Sequence, residues 1–346
     1  MLDDLAYIHQ KDAKDALGTV SRQWQQLGET FRPSIELAAV DYQNVVVAGM
    51  GGSALPALLA QSWLTIKVPF EVVRNYELPA FVGPSSLVIC SSYSGNTEET
   101  LAALEAARSA RAQIVIVAAG GKLQDLAKQY KLPFILLPKI DQPRYATLAG
   151  FKVLVSLLQQ ADLLIDGQQV VDQLPQVAQF MKTSVEAWQP TVATKANQAK
   201  QIAQELMGKS IVVYSGPKLS PVAYKWKISF NENAKHVAWV NQLPEFNHNE
   251  FIGWSKQPVN KPYAVIDLRS KMENPRIQKR FEVSARLLSG LRPEPIVVEA
   301  QGKTLAEQLV WTAALGDFVS IYLALLGGIN PSPVDLVEKF KLALND

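Results

Sequence analysis

Residues 91–97, Ser-Ser-Tyr-Ser-Gly-Asn-Thr, crowd hydroxyl groups into one short turn. The turn follows the apolar run Leu87–Cys90 and precedes Glu98, Glu99 and an Ala/Leu-rich stretch to Ala107. A strand that breaks into small hydroxyl residues and then starts a helix brings backbone N–H and side-chain O–H groups together. The helix N-terminus adds partial positive charge, and the result is an anion cradle. Ser, Thr and Asn also cap helices without any further role, and on these residues alone that alternative stands. The turn carries no Lys, so it is not a nucleoside-triphosphate loop. A sugar phosphate is the expected anion.

A second small-residue turn, Gly49-Met50-Gly51-Gly52-Ser53-Ala54, follows the apolar run Val45–Ala48. It also fits the loose dinucleotide fingerprint G-x-G-x-x-[GA]. That fingerprint calls for an acidic residue at the end of the second strand, where this chain has Arg74, which would suit a 2′-phosphate. An NADP-linked oxidoreductase is therefore a rival reading. Against it, Ser53 puts a hydroxyl where a pyrophosphate turn needs none, and a second cradle at 91–97 is superfluous for a dinucleotide. The glycines could also serve only close strand–helix packing.

Proton chemistry would come from elsewhere. Arg144 follows Pro143, whose fixed backbone gives the guanidinium a defined origin. A permanent cation there could hold phosphate or a developing oxyanion, or could be an ordinary surface arginine. The stretch 231–250, NENAKHVAWVNQLPEFNHNE, packs Glu232, Lys235, His236, Glu245, His248 and Glu250 among asparagines. It lacks the spacings H-x-x-x-H and H-E-x-x-H, which makes a metal site a poor fit. A carboxylate moving a proton between carbons, with a histidine opening a ring, fits better. A polar loop with capping residues is the alternative. Cys90 lies in an apolar run, where a thiol behaves as a small hydrophobe.

Positioning these residues requires an α/β scaffold. Apolar runs at 45–48, 68–73, 87–90, 114–118 and 134–137 alternate with helical stretches, which predicts a parallel sheet covered on both faces. In such sheets ligands sit outside the carboxyl ends of the strands, so both small-residue turns open onto one crevice. Residues 1–40 are expected as a helical segment, with Trp24, Leu27 and Phe31 on one apolar face. Residues 41–170 are the first domain, 171–207 are bridging helices, and 208–346 are a second α/β domain of the same architecture without a serine-rich turn. A length of 346 residues suits two domains of roughly 100–200 each.

Composition narrows the class. Lys and Arg total 34 against 32 Asp and Glu, a net charge of +2, too balanced for a nucleic-acid binder. The single cysteine excludes an internal disulfide and suits a reducing, cytoplasmic setting. The opening MLDDLAYIHQKDAKD has neither a basic nor an apolar signal region, and no membrane span is expected.

GMGGSA at 49–54, SSYSGNTEET at 91–100, PR at 143–144, NENAK at 231–235 and LPEFNHNE at 243–250 occur in this order. Together they resemble the sugar isomerase (SIS) domain superfamily, and more closely the bifunctional phosphoglucose/phosphomannose isomerases of archaea and bacteria. The likeness runs from about residue 40 to the end. It implies two doubly wound SIS domains in a homodimer and an aldose–ketose isomerase acting on glucose 6-phosphate, fructose 6-phosphate and also mannose 6-phosphate. It implies Gly52, Ser53, Ser92, Ser94 and Thr97 as the phosphate-binding set and Glu232 as the base between C1 and C2. It further implies Arg144 as stabiliser of the cis-enediolate and His248 as the ring opener, contributed by the neighbouring subunit. An active-site lysine falls on Lys339, with Lys341 as the alternative, and Ser332 resembles the small hydroxyl position that admits the mannose epimer. No cofactor and no metal are implied. An amino-sugar-phosphate SIS enzyme or a non-catalytic sugar-phosphate-binding protein would share the first cradle. Tyr145 and Thr147 depart from the smaller or more apolar residues expected after the Pro-Arg pair.

Overall fold

The computed structural model describes residues 1–28, 37–140, 142–256 and 262–344. The chain divides into two compact units, one of Gln23–Phe180 and one of Met1–Arg22 with Met181–Asp346. Each contains one parallel sheet with flanking helices.

The chain begins with two short helices, α1 (Leu5–Lys11) and α2 (Ala16–Ser21). Asp12 lies between them and accepts hydrogen bonds from the N–H groups of Ala16 and Leu17 at 2.8 and 2.9 Å. The Trp24 and Leu27 stretch is a 3-10 turn, Gln23–Leu27, rather than part of a longer helix, and Phe31 lies outside the described residues.

In the unit Gln23–Phe180 the expected alternation is present. β1 (Asn44–Ala48) leads to α3 (Leu55–Trp63), and β2 (Phe70–Val73) and β3 (Ser86–Ser91) follow. Then come α4 (Glu98–Ser109), β4 (Gln113–Ala118), α5 (Gly121–Tyr130), β5 (Phe134–Leu136) and α6 (Thr147–Gln160). The strands pair in the order β2-β1-β3-β4-β5, all parallel. The winding direction reverses between β1 and β3, the topological switch point at which such sheets bind ligands. The strands there are buried almost residue for residue (Val45–Ala48 and Leu87–Cys90), as a sheet covered on both faces requires.

α7 (Gly167–Ser184) begins the stretch expected as bridging helices. The helix does not continue to Met207. It ends at Ser184, a 3-10 turn follows over Val185–Trp188, Pro190 has no N–H to continue a helix, and α8 (Gln198–Leu206) starts afresh on an Asn197 cap. The division between the two units falls within this stretch, residues up to Phe180 belonging to the first and those from Met181 to the second. Trp188 packs on Trp311 and Phe318, with ring centroids 5.2 and 5.7 Å away. Lys200, fully buried, donates to Pro190 O and Val192 O at 2.8 Å and to Asp3 at 3.0 Å. The start of the chain is likewise part of this unit, since Tyr7 donates its hydroxyl to Leu325 O at 2.7 Å.

The second sheet comprises β6 (Ser210–Ser215), β7 (Ala238–Gln242), β8 (Tyr263–Arg269) and β9 (Ile296–Glu299). Its helices are α9 (Ser220–Ala234), the short α10 (Glu250–Gly253), α11 (Pro275–Leu287), α12 (Leu305–Leu326) and α13 (Asp335–Ala343). The parallel order β7-β6-β8-β9 reverses between β6 and β8. The stretch 231–250 is thus not one loop: its first residues finish α9 and its middle is the edge strand β7. α12 is long and apolar enough to cross a membrane by length and composition, contrary to expectation, but it is almost wholly buried within the protein. A capping box starts it, with Thr304 and Glu307 each bonding the other's backbone N–H.

Candidate active site

Both small-residue turns fall at the first switch point, one after β1 and one after β3. They are bonded to each other. Ser53 Oγ accepts the N–H of Tyr93 at 3.0 Å, and Ser91 Oγ donates to Ser53 O at 3.2 Å. Ser92 Oγ lies 2.7 Å from Thr97 Oγ1 and 3.4 Å from Ser94 Oγ, so three hydroxyls cluster at the start of α4. Thr97 occupies the N-cap position of α4, yet its side chain makes no capping bond. Its hydroxyl is turned to Ser92 instead. This geometry favours a cradle over a cap, because a capping hydroxyl would be spent on the helix's own N–H groups.

The turn holds its shape through glycine. Gly95 has φ of +68°, and a Cβ there would overlap the carbonyl oxygen of Gly120. Leu123 N donates to Gly95 O at 2.9 Å, and Tyr93 donates its hydroxyl to Ile140 O at 2.8 Å. Tyr93 is a supporting residue that sequence spacing does not reveal, because its partner lies 47 positions away.

Arg144 lies against Gly52, whose Cβ position is 3.4 Å from the arginine Cα. Its side chain is 1% exposed, which rules out a plain surface arginine. Nη1 donates to Gln142 Oε1 at 2.9 Å, and the guanidinium carbon stands 4.9 Å from the centroid of the Tyr145 ring. Tyr145, one of the two departures from expectation, is therefore a buried aromatic shelf for the cation. Gly52, Ser53, Ser92, Ser94, Thr97 and Arg144 all belong to the unit Gln23–Phe180.

The proton-handling candidates Glu232, His248 and Lys339 belong to the other unit. Glu232 is half-buried on the last turn of α9. The helix ends there because Lys235 adopts the left-handed conformation, with φ of 53°. Lys235 Nζ donates to Glu232 O at 2.9 Å and to Asn330 O and Pro331 O at 3.0 and 3.2 Å. It thereby ties the Glu232 turn to the segment before the buried Ser332. Asn233, beside Glu232, is buried and donates to Ser320 on α12 at 2.8 Å. On α13, Lys341 is paired with Glu338 at 2.8 Å, and Lys339 forms no ion pair among the described residues.

The second switch point is closed. Glu273, from the turn after β8, accepts the N–H of Lys218 at 2.7 Å in the turn after β6. Gly216 leaves room for that carboxylate, which a side chain at 216 would strike. Glu273 is buried, and burial pushes its pKa up while the N–H bonds from Lys218 and Leu219 pull it back. The protein's own carboxylate thus sits where the first sheet offers hydroxyls.

Two switch-point sheets, one with an open hydroxyl cradle and one closed by an internal carboxylate, define a two-domain sugar isomerase type α/β protein. Residues 195–344 match the family described as the bacterial phospho-glucose isomerase C-terminal SIS domain. Over 322 residues the chain is 31% identical to the bifunctional phosphoglucose/phosphomannose isomerase of Aquifex aeolicus, covering 92% of this chain and 93% of that protein. It is 32% identical over 312 residues to the enzyme of the same name from Caldicellulosiruptor bescii, covering 89% and 91%. Its fold is similar to that of a glucose-6-phosphate isomerase like protein from Thermus thermophilus, with a TM-score of 0.64 and 18% identity over 98% of each chain. The chain belongs to the bifunctional phosphoglucose/phosphomannose isomerase family.

Proposed function

We propose that this protein interconverts glucose 6-phosphate and fructose 6-phosphate, and mannose 6-phosphate as well, by proton transfer through a cis-enediolate. The observation that carries the reading is the Ser92–Thr97 hydroxyl cluster, free of capping duty at the first switch point. Similarity to isomerases of that name over nearly the whole chain supports it.

In this reading Gly52, Ser53, Ser92, Ser94 and Thr97 hold the phosphate. Anchoring the dianion away from the reacting carbons turns binding energy into orientation. His248 protonates the ring oxygen and opens the sugar. Glu232 then takes the proton from C2 of the aldose, and the electron pair forms the C1–C2 double bond as O1 becomes anionic. Arg144 stabilises that oxyanion, assisted by the charge of Lys339. Once the proton on O2 has passed to O1, return of the carbon-bound proton to C1 gives the ketose with C2 as its carbonyl, whereas return to C2 on the opposite face, with O1 still anionic, gives the epimeric aldose. C1 is reduced as C2 is oxidised, so the step consumes no external electrons.

The protein acts in this reading as a cytoplasmic homodimer in which His248 serves the neighbouring subunit. The exposed position of His248, with no hydrogen bond or ion pair of its side chain among the described residues, supports such a donation. A coupled assay tests the function: purified protein interconverts glucose 6-phosphate and fructose 6-phosphate without added nicotinamide as substrate. Glu232→Gln abolishes turnover while sugar-phosphate binding survives. Failure to interconvert the two sugars, or normal turnover in Glu232→Gln, refutes the reading.

A further inference from the structure

The His248 side chain makes no hydrogen bond or ion pair among the described residues, but the segment that carries it is held on both sides. His248 ends the 3-10 turn Glu245–His248 and is exposed. On one side, Asn247 donates to Ser284 Oγ on α11 at 2.9 Å and accepts from Arg280 Nη1 at 3.2 Å. Phe246 is buried, its ring centroid 4.5 Å from that of Tyr214. On the other side, Asn249 caps α10 by accepting the N–H of Glu250 at 2.6 Å. Glu250 takes a bond on each oxygen: Tyr214 of β6 donates its hydroxyl to Oε1, and Asn241 of β7 donates to Oε2 at 2.7 Å. Trp254 Nε1 in turn donates to the Tyr214 hydroxyl at 2.9 Å.

Glu250 thus joins two neighbouring strands of the sheet to a residue two positions after the imidazole. Both of its partners there are uncharged donors, so the carboxylate is used as a pair of acceptors rather than as half of an ion pair. Burial, with the bond to Glu250 next, raises the Tyr214 pKa, so the phenol keeps its proton and remains a donor. A histidine that must meet a ring oxygen in one orientation gains from such a mount, since a free side chain on a loose loop would lose the effective concentration that catalysis needs.

We propose that Glu250 is the positioning residue of His248, fixing the segment to β6 and β7 so that the imidazole is presented for ring opening. The proposal rests on the reading of His248 given above. Glu250→Gln turns one acceptor into a donor that faces donors, loosening the mount while conserving size. With a hexopyranose 6-phosphate as substrate, kcat falls on the order of 10–100-fold, less than the roughly 10²–10⁴-fold that a positioned acid or base contributes when intact, with KM little changed. With an aldose 6-phosphate lacking the C4 and C5 hydroxyls, which cannot close a five- or six-membered ring, kcat is unchanged.

His248→Gln and Glu232→Gln complete the experiment. The first loses only the cyclic substrate and the second loses both. Tyr214→Phe, which removes one donor and keeps the ring, provides a milder variant with the same selectivity should Glu250→Gln fold poorly. Equal losses on both substrates in Glu250→Gln and Tyr214→Phe make Glu250 merely structural and overturn the proposal, as does full activity on the cyclic substrate. Full activity of His248→Gln on the cyclic substrate refutes the role of His248 itself, and the proposal falls with it.

Discussion

The carboxylate of Glu273 accepts the backbone N–H of Lys218 at 2.7 Å, across 55 positions of sequence, and so fills the second switch point from within. Burial raises its folded-state pKa above the unfolded value. The native state therefore holds this proton more tightly than the unfolded chain does. The associated stability is full below the unfolded pKa of about 4.3 and is lost as pH rises through the folded pKa. Glu273→Gln cannot titrate. Urea unfolding from pH 4 to pH 8 will show the wild type losing stability relative to the variant as pH rises. A relative gain would mean that the carboxylate is stabilised in its charged form.

At the first switch point the hydroxyls themselves are the test. Thr97→Val keeps the shape of the side chain and removes the oxygen 2.7 Å from Ser92 Oγ. A hydrogen bond to a charged group contributes about 1.5–3 kcal/mol. KM for sugar phosphate should rise about 10–100-fold with a smaller change in kcat, and stabilisation by inorganic phosphate in a melting experiment should shrink. An unaltered KM would remove Thr97 from the phosphate-binding set and leave its hydroxyl only the bond to Ser92.

Inside the second unit, Lys225 of α9 is paired with Asp317 of α12, both almost fully buried, and Ser229 donates to the same carboxylate at 2.8 Å. Asp317→Ala leaves a buried ammonium without its counter-charge and should cost about 3–5 kcal/mol in urea unfolding. Lys225→Met with Asp317→Leu should recover most of that loss, because the desolvation of both charges is removed together. A double variant no more stable than Asp317→Ala would show that the pair contributes more than its desolvation costs.

Cys90 sits in β3 with no exposed surface, and burial pushes its thiol up to about 12. At pH 8 the thiolate is a minute fraction. A disulfide-exchange reagent should leave the native protein unlabelled and modify one thiol per chain in denaturant. Rapid labelling of the native state would contradict the burial of β3.

The sequence by itself determined the alternation of strands and helices between residues 44 and 136, because each buried strand is a short apolar run and each helix an amphipathic one. α12 was legible in outline, since Thr304 caps and Gly327 ends a largely apolar stretch whose only charged residues are Glu307 and Asp317. The sequence marked Ser92, Ser94 and Thr97, because hydroxyls concentrated after a buried strand form a local pattern. β7 was hidden: it is an edge strand in which Trp239 is 51% exposed and Asn241 and Gln242 are polar, so it lacks the apolar run of a central strand. The extent of the second unit was hidden too, because nothing local ties Asp3 to Lys200 or Tyr7 to Leu325. Only the tertiary structure decided which switch point is open. Both sheets supply the same backbone geometry, but Glu273 reaches one of them from a distant turn, and a hydrogen bond between residues 55 positions apart exists only once the chain has folded.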